Sequence, residues 1–251
     1  MIVSVIPITG VPLLRPGDDL AGILFAALDN AGHAPRAGDI LVVCQKAVSK
    51  CEGRIVDLRT ITPSPFAEQF AAGTKGGKDA RVVEVILSET KRIVRMDAGH
   101  LIVETGAGWV CANAGVDESN TGGPDTVILL PLDPDASAEG LVAAVRARYG
   151  CDVAAIITDT FGRPWREGLV DFALGVAGMD PLLDLRGGHD LGGRELHHTV
   201  VAQADALAAA AGLVMRKDAG IPAALVRGYR YQPGTGGGRK LIRAREFDLF
   251  R

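Results

Sequence analysis

Two stretches concentrate the residue types that phosphoryl transfer needs. In Ile156-Ile157-Thr158-Asp159-Thr160-Phe161-Gly162-Arg163-Pro164-Trp165-Arg166, an apolar run delivers Asp159 and Thr160 to what reads as the C-terminal edge of a strand, and Arg163 and Arg166 follow in one loop. Open α/β sheets present ligand groups at that edge. A carboxylate can hold a metal, a hydroxyl a metal or a water, and a guanidinium a phosphate, and phosphoryl transfer depends on positioning and charge neutralisation more than on covalent chemistry. The same residues also fit a helix N-cap followed by solvated arginines.

The second stretch is Cys111-Ala112-Asn113-Ala114-Gly115-Val116-Asp117-Glu118-Ser119-Asn120, where a short apolar strand breaks at Gly115 and a loop gathers hard oxygen donors. Mg²⁺ takes one or two protein carboxylates and completes its octahedron with water and phosphate, so one well-aimed Asp beside an amide is sufficient. An Asx-turn explains the same composition. A third stretch, Gly187 to His198, mixes glycines with every charged type, but His197 and His198 are adjacent and point to different faces, which makes a weak metal pair. Gly73 to Asp79 imitates a phosphate loop, yet its glycine spacing is one short and Asp79 stands where a metal-binding hydroxyl belongs. No G-x-S-x-G elbow occurs, so covalent hydrolysis has little support.

The elements that must position these groups read as mixed α and β. Ile2 to Ile8 predicts a strand, Leu20 to Ala31 a helix, and Gly38 to Cys44 a turn and buried strand that leads into the cation-bearing Gln45 to Arg54. Helical spacing covers 65–72 and 79–88, and short strands follow at 92–96, 101–104 and 109–112. Ser137 to Tyr149 predicts a helix capped by Ser137, Val153 to Thr158 a strand ending in Asp159-Thr160, and Val200 to Met215 a long Ala-rich helix closed by Arg216-Lys217. Pro222 to Arg227 reads as another strand, and the glycine-rich run from Gln232 to Arg239 as a loop.

With 251 residues, 47% hydrophobic and 23% charged, the chain can bury a large core and suits one functional unit, 1–251. Its 27 basic and 30 acidic side chains give a net charge of −3 without a long basic run, which argues against nucleic acid. The start MIVSVIPITG lacks the positive region of an export signal, and the apolar run from Ala206 to Met215 is about half the ~20 residues that a membrane span needs. Four scattered cysteines make neither a zinc ribbon nor a disulfide scaffold, and a reducing cytoplasm is the expected location.

Taken together these motifs resemble the coenzyme F420:L-glutamate ligase family, the γ-glutamyl ligases of a deazaflavin coenzyme, over nearly the whole chain. The marks are Cys111 to Asn120, Ile156 to Arg166 and Gly193-Arg194-Glu195-Leu196, in order with Ser49-Lys50 and Glu52-Gly53-Arg54 before them and Gly220-Ile221-Pro222 and Val226-Arg227-Gly228 after them. The resemblance implies a GTP-dependent amide ligase that joins L-glutamate to the F420 precursor, using Mg²⁺ or Mn²⁺, two per site, with assistance from K⁺. Asp117 and Asp159 would hold one metal and Thr160 a second. Thr9, Gly10, Val11, Pro12, Gln45, Lys50 and Asn120 would contact the nucleotide, with Arg163 and Arg166 as catalytic clamps. The nucleotide site would continue through Val214, Met215, Arg216, Lys217 and Gly220, where the sequence departs from the family pattern: a protonated Lys217 cannot ligate a metal, so that stretch is assigned to nucleotide contact only. The resemblance further implies a mixed α/β (α+β) chain, elongated, with its sheets interlocked in a homodimer and without the C-terminal flavin-binding domain that some relatives carry. A different acceptor on the same nucleotide and metal site is the alternative, since fold likeness does not fix substrate.

Overall fold

In the computed structural model, which describes residues 2–74, 76–97 and 99–248, the chain begins with strand β1 (Ser4–Pro7), helix α1 (Leu20–Asn30), strand β2 (Ile40–Cys44) and a short helix α2 (Gln45–Cys51). Lys75, inside the phosphate-loop imitation, lies outside the described residues. A middle segment follows: β3 (Ile55–Asp57), α3 (Pro65–Ala72), α4 (Ala80–Ser88), β4 (Thr90–Asp97), β5 (His100–Thr105), β6 (Val110–Ala112) and β7 (Thr126–Ile128). The last part carries α5 (Pro134–Tyr149), β8 (Ala154–Arg163), β9 (Arg166–Ala177), β10 (Leu183–Asp184), β11 (Val200–Val201), α6 (Gln203–Gly212) and β12 (Ala223–Arg227).

The main sheet runs β1-β12-β2-β8-β9, and within it only β2 and β8 are parallel. It is therefore a mixed α/β fold, as the sequence leads one to expect. The continuous apolar runs of β2 and β8 have a simple cause, because both faces of the sheet are covered. Leu41, Val43, Ala155 and Ile157 point to a core shared with α1 and α5, while Ile40, Val42, Ala154 and Ile156 point to a second core shared with α6. A third core joins α3 and α4 to the β4-β5-β6 sheet and the β3-β7 pair.

Three expectations are corrected. Helix α5 starts at Pro134 and is capped by Asp133, whose side chain accepts from the Ala136 N–H at 3.0 Å. An Asp-Pro pair is an N-cap followed by a pre-organised first residue, so it takes over from Ser137, whose hydroxyl instead donates to Glu52. The predicted 200–215 helix is only α6, since the β-branched Val200-Val201 pairs with β10, and Arg216-Lys217 lies beyond the last helical turn. Strand β8 does not stop at Asp159 but continues to Arg163, because residues 166–177 form a hairpin partner that the sequence reading lacked.

A buried ion pair ties β12 to the turn that leads into β2. The Arg227 guanidinium on β12 donates to both oxygens of Asp39, at 2.9 and 2.6 Å, and Asp39 is 2% exposed. Removing one member of such a pair leaves a buried charge alone, so Arg227→Ala is expected to lose about 3 kcal/mol or more of stability. Urea unfolding checks this, and a loss below about 1 kcal/mol, typical of a surface substitution, contradicts it.

Candidate active site

The β2–β8 ladder ends where Cys44 pairs with Thr158; the chain then turns into α2 at Gln45, while β8 runs on with β9 as its partner. Asp159 and Thr160 are the first residues past that end, so their β2 side is open. A cleft of about 810 Å³ lies there. It is walled by the turn after β1, the start of α2, the loop after β6 and the turn after α6.

Of the residues anticipated from sequence, the cleft brings together Asp117 and Asp159 with Thr160, Asn120, Gln45, Lys50, Val11, Pro12, Met215, Arg216, Lys217 and Gly220. Thr9, Gly10 and Val214 are not among its lining residues, nor are Arg163 and Arg166. Those two arginines face each other at the tip of the β8–β9 hairpin, where Arg163 Nη2 donates to the Glu167 carbonyl at 2.7 Å. His197 and His198 are exposed, with ring centroids 6.3 Å apart.

Two lining residues were missed. Lys46 Nζ lies 2.7 Å from Asp117 Oδ2 and also donates to the Ser119 carbonyl and hydroxyl at 2.8 and 2.9 Å. Ser119 in turn donates to Asp117 Oδ1 from its N–H and its hydroxyl, both at 2.7 Å, which is the Asx-turn of the sequence reading. These local bonds fix the carboxylate that faces the cleft. The second is Asp171, directly across from Thr160 in the β8–β9 register, whose Oδ1 accepts from the Thr160 hydroxyl at 2.8 Å. Gly212, the last residue of α6, makes room for it, since a Cβ there would collide with Asp171 Oδ2. Recognising the turn at Pro164-Trp165 would have exposed the partner strand, and the register shift between Gly162 and Arg163 then moves Thr160 from opposite Leu169 to opposite Asp171.

The electrostatics are unequal. Burial alone would raise the Asp117 carboxyl, but hydrogen bonds from Lys46 and Ser119 outweigh it and hold the group below the usual range. Asp159 keeps some accessible surface toward the cleft yet is otherwise surrounded by protein, and burial, aided by the like charges of Asp117 and Asp171, pushes it up to about 7. The Thr160 N–H and the Lys217 ammonium only partly offset that. Burial raises Asp171 as well. Among the described residues, no three His, Cys, Asp or Glu side chains stand close enough to hold an ion by themselves. The donors are nonetheless all hard oxygens, two carboxylates with a hydroxyl and a third carboxylate behind it, which suits a cation that keeps water and phosphate as its other ligands.

Against known proteins, residues 9–228 match the family described as F420-0:Gamma-glutamyl ligase. The chain belongs to that family. It is 46% identical over 252 residues to the coenzyme F420:L-glutamate ligase of Methanothermobacter thermautotrophicus, covering 99% of each chain. It is 48% identical to that of Methanopyrus kandleri, over 95% of this chain and 93% of the relative, and 41% identical to that of Archaeoglobus fulgidus, over 100% and 97%. All three stretches that mark the resemblance, Cys111 to Asn120, Ile156 to Arg166 and Gly193 to Leu196, fall inside the span matched by this ligase family.

The raised Asp159 has a consequence for stability. Its carboxyl titrates near 4 unfolded and near 7 folded, so between those values the folded state binds more protons and is stabilised as pH falls. Asp171 and Asp205 shift the same way. In chelator, the protein is expected to be more stable to urea at pH 5.5 than at pH 7.5, and Asp159→Asn to lose most of that difference. An unchanged pH dependence in the variant contradicts the assignment.

Proposed function

We propose that this chain is a GTP-dependent ligase that adds L-glutamate to the F420 precursor, F420-0 and then F420-1, through an acyl phosphate. The observation that carries the reading is the convergence of Asp117 and Asp159 on one cleft, supported by family membership and by near-full-length identity to proteins named coenzyme F420:L-glutamate ligase. The γ-phosphoryl of GTP passes to the terminal carboxylate of the acceptor and GDP leaves; the α-amine of glutamate then attacks the acyl carbon, phosphate departs and an amide remains. On the next round the γ-carboxylate of the added glutamate is the acceptor.

Both reactants of the first step are anionic, and the cleft's own cations address that repulsion. Lys50, Lys217 and Arg216 line the cleft together with Gln45, Asn120, Val11 and Pro12, and these residues would meet the nucleotide. With Arg163 and Arg166 away from the lining, the clamp role falls to these residues. Asp117, Asp159 and Thr160 would hold Mg²⁺ or Mn²⁺, which when bound supplies charge neutralisation between the phosphates and the acceptor carboxylate. Lys46 keeps Asp117 ionised and aimed into the cleft, ready for a divalent cation. A homodimer belongs to the same reading, supported by the β8–β9 arm, whose tip exposes Trp165 and Leu169.

Asp159→Asn, folded as judged by its thermal transition, is expected to lose turnover by about three orders of magnitude, the scale of a lost electrostatic contact in a transition state. Mass spectrometry of the coenzyme after incubation with GTP, Mn²⁺ and L-glutamate reads the added glutamyl groups. Near wild-type addition by this variant removes the site assignment.

A further inference from the structure

A second groove, about 650 Å³, lies outside the cleft and is charged opposite to the chain as a whole. Among the described residues, five cations line it, Lys91 and Arg92 on β4 and Arg239, Arg243 and Arg245 on a strap formed by residues 236–245, facing the single carboxylate Glu104. Glu104 bonds Arg92 at 2.9 Å and lies 3.4 Å from Lys91, so it fixes the β4 wall, while Arg239, Arg243 and Arg245 are solvent-exposed. In a protein of net charge −3 such a cluster makes a local positive potential that attracts anions.

The strap is seated by the fold. Asp135 Oδ1 accepts from the Gly238 N–H at 2.7 Å and from the Val176 N–H of β9 at 2.9 Å. Gly236 and Gly238 lie so close over β9 that a Cβ at either would strike the carbonyls of Val176 and Leu174. An apolar cluster links the groove to the strand that carries Asp159. Asp159 and Phe161 alternate to the same face of β8, and Phe161 packs with Trp109, Leu130 and Leu174 against Ile242, which lines the groove.

We propose that this groove binds the carboxylates of the growing γ-glutamyl tail of the acceptor, an inference that rests on the proposed function. Each γ-linked addition consumes one carboxylate and brings two, so the α-carboxylates accumulate along the tail while the terminal γ-carboxylate must return to Asp159. A row of exposed guanidiniums holds such a chain by charge and by bidentate bonds without demanding one register.

The test is isothermal titration of the full chain, without nucleotide, with a synthetic γ-linked tetraglutamate. Binding is expected, weakening as salt rises, and Arg243→Ala/Arg245→Ala is expected to bind about tenfold more weakly with an unchanged thermal midpoint. Arg243→Lys/Arg245→Lys is expected to recover part of the loss. Wild-type affinity in the alanine variant overturns the proposal, as does displacement of the peptide by inorganic phosphate at equal concentration and ionic strength. Arginine-dependent peptide binding in a chain that fails to glutamylate the coenzyme precursor would instead overturn the proposed function and leave the polycarboxylate groove standing.

Discussion

A carboxylate held away from water, with Asp117 and Asp171 lining the same cleft, is the constraint on which this molecule's site depends. Asp159 sits past the end of a parallel ladder, where burial, with smaller additions from Asp117 and Asp171, raises its carboxyl further than the Thr160 N–H and Lys217 lower it. A protein keeps such an arrangement at a cost in stability. The cost is intelligible if a cation joins the site, because the same crowding that penalises an ionised carboxylate in the free chain favours a divalent ion between the carboxylates.

The surrounding fold follows from that constraint. Strand β2 stops one residue short of the acidic pair, so its chain can turn and bring Gln45 and Lys46 over the opening. Lys46 treats the two main carboxylates differently, holding Asp117 ionised while Asp159 is left to titrate near neutrality. Two acids of one type thereby acquire distinct properties from their neighbours alone. Gly212 and the hairpin partner Asp171 complete the pocket, the first by lacking a side chain, the second by orienting the Thr160 hydroxyl.

Much of this was legible in the sequence, and what was not has definite causes. Strands β2 and β8 read as buried because both faces are covered, and Asp159 and Thr160 could be placed at an opening because an apolar run ended there. Strand β9 was invisible for the opposite reason. Its first half is exposed and carries Arg166, Glu167 and Gly168, so hydrophobic patterning gave no signal, and with it went Asp171 and the true position of Arg163 and Arg166 at a hairpin tip. Lys46 reads only as one cation of the segment from Gln45 to Arg54, since nothing local says that its partner lies 71 residues further on at Asp117. The Ala-rich segment before Arg216 overstated α6, because alanine spacing looks helical whether or not β-branched neighbours are recruited into a strand.

The central claim is that Asp117 and Asp159 share a cation that also meets the nucleotide. Anomalous diffraction from crystals grown with Mn²⁺ and a non-hydrolysable GTP analogue tests it most directly. A manganese peak bonded to both carboxylates and to a phosphate oxygen is the predicted result. A manganese ion and triphosphate bound elsewhere, with Lys46 still paired to Asp117 and Asp159 contacting neither, would contradict it.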